Sequence, residues 1–152
     1  LVDNEAGVLA RVIGLFSGRG YNIESLTVAE VDAAAHTSRI TIVTSGTPQG
    51  IEQIESQLRR LVPVHRVTNW TAAAGGIERE MALVKVTPGE AASKLAEKFQ
   101  ARALDETEAG QVFEITDAPA RIDAFIEALR PLGLVDVSRT GVAAISRGPE
   151  VT

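Results

Sequence analysis

Apolar residues recur along this chain in two alternating rhythms. Val8, Val12, Leu15 and Phe16, flanked by Leu9 and Ile13, fall at helical spacing. The stripe stops at Ser17-Gly18-Arg19-Gly20, where glycine can take the left-handed cap conformation. Residues 21–30 are rich in β-formers, and in residues 38–44 Ile40 and Ile42 alternate with Arg39 and Thr41. Residues 31–37 join these two strands as a loose hairpin tip. Thr47-Pro48 predicts a helix start, with Thr as cap and Pro in the first turn. Ile51, Ile54, Leu58 and Leu61 then form one helical face, Pro63 ends it, and residues 64–70 are predicted as a strand. With Leu1-Val2 as the stub of a first strand, the order is β-α-β-β-α-β.

The small, uncharged run Thr71-Ala72-Ala73-Ala74-Gly75-Gly76 reads as a linker, after which the rhythm starts again. Residues 81–86 predict a strand, and Ala91, Leu95 and Phe99 a helical stripe. Residues 102–106 and 111–116 predict two strands joined across 107–110. Asp117-Ala118-Pro119 introduces a helix carrying Ile122, Phe125, Ile126 and Leu129, and residues 134–146 close with a strand interrupted at Thr140-Gly141. The chain therefore reads as α+β, two tandem ferredoxin-like βαββαβ domains over 1–71 and 80–152 with a linker at 72–79. In each, two helices can cover one face of a four-stranded sheet. A domain of roughly 70 residues with a bare sheet face is marginal alone, so self-association is expected.

Composition narrows the partners. The 152 residues are 45% hydrophobic and 23% charged, with aromatics at 4%, so the cores must be aliphatic. A net charge of −5 argues against nucleic acid or an anionic membrane as partner, and neither half is basic. No apolar run approaches the roughly 18–20 residues of a membrane span. The chain starts at Leu1-Val2 without an initiator Met, so its first strand is expected to be cut short. With no cysteine and no visible signal, a cytoplasmic location is the default, and the Asn69-Trp70-Thr71 sequon is read as chance.

Catalytic patterns are missing. His36 falls in a predicted loop and His65 at a strand start, both read as solvated, and neither has the i, i+4 partner of a helical metal site. No nucleophile elbow occurs. Glu52 and Glu55 read as a solvated face, and Asp105, Glu106 and Glu108 as a wet hairpin, so no metal site and no catalytic residue is assigned. RNA-recognition domains share the ferredoxin-like arrangement but stack bases on aromatics of the central strands. Residues 38–43 hold no aromatic and Phe113 stands alone among acidic neighbours, which excludes that role.

What remains is a binding chemistry. Asn4 is a turn former three residues before Gly7, which opens a helical pattern, and a small residue there lets helix-terminal amides approach a carboxylate. Asn22 stands at the start of the next strand. From spacing alone, the two asparagines serve equally well as turn and cap residues.

Residues 3–16, Asp-Asn-Glu-Ala-Gly-Val-Leu-Ala-Arg-Val-Ile-Gly-Leu-Phe, and 19–28, Arg-Gly-Tyr-Asn-Ile-Glu-Ser-Leu-Thr-Val, resemble the small, regulatory subunit of acetohydroxyacid synthase (acetolactate synthase). The likeness continues through residues 38–42 and 78–86, thins from there to about 121, and returns at Ile122-Asp123-Ala124-Phe125 and Arg139-Thr140-Gly141-Val142-Ala143. Asp3, where Glu is usual, and Met81, where an aliphatic is common, are the departures. The resemblance implies that the first domain is an ACT domain, pairing with a second copy and binding valine or another branched-chain amino acid between the two. It implies a homodimer through the ACT domains, activation of a separate catalytic subunit, and feedback inhibition. Thiamine diphosphate, Mg and FAD would sit on that subunit and no cofactor on this chain. The effector site would comprise Asn4, Gly7, Val8 and Leu9, with Asn22 and Ile23 supplied by the partner chain. The alternative is a stand-alone ACT-type sensor acting on a different enzyme.

Overall fold

The structure is a computed structural model, and it describes residues 1–71 and 76–149. It contains two compact units, Leu1–Ile77 together with the tail from Ala144, and Glu78–Ala143. Of the expected linker at 72–79, residues 72–75 lie outside the described residues and Ile77 already begins a strand.

In the first unit β1 (Val2–Asp3), β2 (Ile23–Asp32) and β3 (Thr37–Thr44) form an antiparallel sheet in the order β1-β3-β2, which leaves β2 at an edge. Helices α1 (Val8–Ser17) and α2 (Pro48–Leu58) occupy the predicted places. Thr47 caps α2, its hydroxyl accepting from the Gly50 N–H at 3.2 Å, with Pro48 in the first turn. Gly20, at φ +71, supplies the left-handed residue that lets the Tyr21 N–H return to the Phe16 carbonyl, whereas Gly18 stays helical. Tyr21 itself lies just before β2, its ring over Gly46 and its hydroxyl where a Cβ on Gly50 would stand.

The strand predicted over 64–70 does not form. Val64 makes an isolated antiparallel bridge to Val2, and pairing runs only from Asp3 N–H on Pro63 to His65 and Arg66 N–H on Leu1. The segment turns to α2 instead: the Val67 carbonyl accepts from Arg59 and the Asn69 amide donates to Glu55. The main buried cluster of this unit is small, Val12, Phe16 and Ile54, with Tyr21, Ile23, Ile40, Ile42, Leu58 and Leu61 half-buried around it, and Val2 and Val8 are buried as well.

The second unit is better filled. Its strands β4 (Ile77–Val86), β5 (Arg102–Thr107), β6 (Gly110–Asp117) and β7 (Leu134–Arg139) run in the order β5-β6-β4-β7. One face carries α3 (Glu90–Phe99) and α4 (Pro119–Leu129), the latter followed by a 3-10 turn at Arg130–Leu132 that the sequence pattern did not predict. Alternation along β4 and β6 places Ala82, Val84, Val86, Phe113 and Ile115 inward against Ile122, Phe125 and Leu129. Phe99 and Phe125 meet with ring centroids 5.2 Å apart. At one end of this core Glu80, 5% exposed, takes a bidentate pair of bonds from Arg139 at 2.9 and 2.6 Å, while Arg139 also reaches Asp123. The hydrogen bonds to Glu80 raise the Arg139 pKa against the opposing effect of burial. The α+β reading with two βαββαβ-like units therefore holds, the last strand of the first being reduced to the Val64 bridge, and the first unit leaves far more of its apolar surface half-covered.

Candidate functional site

The turn after β1 is held by the β2–β3 hairpin. Asn4 donates its backbone N–H to the His36 carbonyl at 2.7 Å, and its side-chain Nδ2 donates to Glu30 Oε1 at 3.0 Å. His36 adopts φ +48 at the hairpin tip, a conformation in which its carbonyl receives that bond. Next to Asn4, the Asp3 carboxylate lies 2.6 Å from His65 Nε2, so His65, exposed as the sequence suggested, also has a hydrogen-bond partner the sequence did not show.

Gly7 is the N-cap of α1, at φ +85 and ψ −9, with open space around the position of a Cβ. Only glycine takes this backbone readily, which explains the residue type better than crowding does. The first helical bond runs from Arg11 N–H to the Gly7 carbonyl, and Val8 N–H points to Glu5 at 3.3 Å. The N–H groups of Gly7 and Leu9 make no hydrogen bond among the described residues. Free donors, those of Gly7 and Leu9 among them, therefore stand at the positive end of α1, close in sequence to a fixed asparagine. The Val8 side chain is buried in its own unit, so it has only its backbone to offer; Leu9 is half-buried.

Asn22 and Ile23 lie elsewhere. Asn22 is exposed, its carbonyl held by the Thr44 hydroxyl at 2.6 Å, and Ile23 turns its side chain into the core of its own unit. They start β2, whereas Glu30 and the Asn4 turn stand at its far end. Seven residues of strand separate the two, roughly 23 Å at the usual rise. One chain thus gathers Asn4, Gly7, Val8 and Leu9 into one cluster and Asn22 with Ile23 into another, and does not bring the clusters together. Sequence reasoning missed Glu30 and His36 because their relation to Asn4 arises only from the β1-β3-β2 pairing. It also missed Tyr21, although Gly46 and Gly50 on either side of Thr47 are the trace left by its ring.

No helix among the described residues is long and apolar enough to cross a membrane. Comparison with known proteins covers both units. A family model described as the AHAS small subunit-like ACT domain matches residues 1–66, and one described as the small subunit of acetolactate synthase matches residues 79–148. The chain is similar to the acetolactate synthase isozyme 3 small subunits of Salmonella typhimurium, at 42% identity, and of Escherichia coli, at 41%, in each case over 99% of this chain and 94% of the relative. It also resembles the crystal structure of the acetolactate synthase small subunit from Thermotoga maritima, with a TM-score of 0.84 and 36% identity over 98% of this chain and 94% of that one.

Proposed function

This chain belongs to the family of acetolactate synthase small subunits, and on that premise we propose that it senses valine or another branched-chain amino acid and relays the signal to a catalytic partner. A small subunit is a regulatory, non-catalytic chain that associates with a catalytic large subunit. On this reading the regulatory domain spans 1–71, and the second domain runs from the strand that begins at Ile77. Thiamine diphosphate, Mg and FAD belong to the partner, no cofactor belongs to this chain, and the complex works in the cytoplasm.

The observation that carries the proposal is the pair of unused N–H donors of Gly7 and Leu9 beside the anchored Asn4. The donors suit the effector carboxylate, and the Asn4 and Asn22 oxygens suit its ammonium without adding net charge, as a zwitterion requires. The opposite ends of β2 supply the second half of the reasoning. β2 is an edge strand, and two copies pairing antiparallel along it would set Asn22 and Ile23 of one against Asn4 and Gly7 of the other. Such a homodimer also covers apolar edge residues Val28 and Val31, 45% and 51% exposed in one chain. Bound valine would then bias the paired domains, and the associated large subunit, toward the less active state. The coupling need be no larger than about 1–3 kcal/mol.

Mixing tests the shared site. Asn4→Ala and Asn22→Ala chains should each bind valine poorly. Combined as a heterodimer, they should recover one site of two, because one interface joins an intact Asn4 to an intact Asn22. No recovery in calorimetry of a verified heterodimer would overturn the shared-site reading. Co-purification of a thiamine-diphosphate enzyme with the chain tests the partner.

A further inference from the structure

Glu30 has no part in the effector site described so far, yet it is the only side chain that holds Asn4 among the described residues. A carboxylate accepts hydrogen bonds and cannot donate them when ionised, so the contact at 3.0 Å forces the amide to present Nδ2 to Glu30. The Asn4 oxygen is thereby turned the other way and takes no partner among the described residues. The β2–β3 register shifts between Glu30 and Asp32, so Val31 is an extra residue in the strand beside Glu30. A bulge of this kind re-aims the side chains next to it. The backbone bond from Asn4 N–H to His36 fixes the same residue from the other side of the hairpin.

We propose that Glu30 is a positioning and specificity residue: by locking the Asn4 amide with its oxygen outward, it makes the site select an ammonium-bearing effector over its hydroxy-acid counterpart. The proposal rests on the effector-site reading above. An ammonium only donates, so it needs the oxygen facing it. A hydroxyl both donates and accepts, and is served by either amide orientation. Freeing the amide should therefore weaken valine and leave 2-hydroxyisovalerate untouched. Glutamine at position 30 can accept from Nδ2 or donate to the Asn4 oxygen, so it holds the amide in both orientations.

The test is calorimetric titration of the full-length wild-type, Glu30→Ala and Glu30→Gln chains with L-valine and with 2-hydroxyisovalerate. We expect valine affinity to fall about fivefold in Glu30→Ala, the size of one lost orienting hydrogen bond, and about twofold in Glu30→Gln, where the bond is kept but half of the amides face the wrong way. Affinity for the hydroxy acid should stay within twofold of wild type in both. Equal losses for the two ligands would mean that Glu30 supports the loop without choosing the ligand, and unchanged valine affinity in Glu30→Ala would mean that it does neither; each result overturns the proposal. A wild-type chain that binds no valine overturns the effector-site reading itself, and the positioning role with it.

Discussion

Replacing Gly7 separates two properties that one residue combines, backbone permissiveness and absence of charge. At φ +85 any L side chain is strained by about 1–2 kcal/mol, while the loss of glycine's unfolded-state freedom returns about 0.4–1 kcal/mol. The space around a Cβ is empty, so no clash is added. Gly7→Ala should therefore lose about 1 kcal/mol of stability in urea denaturation and bind valine within a few fold of wild type. Gly7→Asp carries the same strain, offset by about 0.3–1 kcal/mol from a negative charge at a helix N-terminus. On the proposed site it also sets that charge beside the effector carboxylate. Two like charges about 4 Å apart repel by about 4 kcal/mol at the effective dielectric of a protein surface, or roughly a thousandfold in affinity. Calorimetry should show valine binding lost in Gly7→Asp and kept in Gly7→Ala, with activation of the large subunit retained in both. Equal loss in the two variants would move the cause from charge to backbone. Wild-type affinity in Gly7→Asp would remove the carboxylate from this helix end altogether.

Two further outcomes concern the second unit. Arg139→Ala leaves Glu80 as an uncompensated charge in the core, 4% exposed at its side chain, and should cost about 3–5 kcal/mol. Glu80→Ala should cost only about 1–2 kcal/mol in the same urea experiment, because Arg139 keeps Asp123 and some water. The Asp117 carboxyl accepts the Ala118 N–H, and that bond with Arg121 pulls its pKa below the ordinary 3.8. A depressed carboxylate adds stability above its unfolded pKa and loses it as pH falls through the folded one. Asp117→Asn should thus lower thermal stability at pH 7 and flatten the decline below about pH 4, and a parallel decline in variant and wild type would contradict this.

The helices and most strands were legible because periodicity and caps are local. Thr47-Pro48 and Asp117-Ala118-Pro119 each open a helix where expected. The strand over 64–70 failed for a non-local reason: its residues have strand character, but past Arg66 the segment bonds to side chains of α2, with Val67 on Arg59 and Asn69 on Glu55. The partners of Asn4 were hidden for the same reason. Glu30 is 26 positions away and reaches Asn4 only through pairing across β3. The motif around Asn4 and Gly7 pointed to the turn, yet nothing in the spacing told which way the amide faces.

The length of β2 has a consequence for dose response. On the proposed shared site, whose two halves lie at the strand's opposite ends, an effector that bridges two chains is thermodynamically a cross-linker, and its affinity and the dimer's are one linked quantity. Valine should tighten self-association by the same factor by which self-association tightens valine. At chain concentrations below the dimer dissociation constant, the apparent potency of valine should then rise with protein concentration. The cell's level of this small subunit would set the threshold at which the end product is felt.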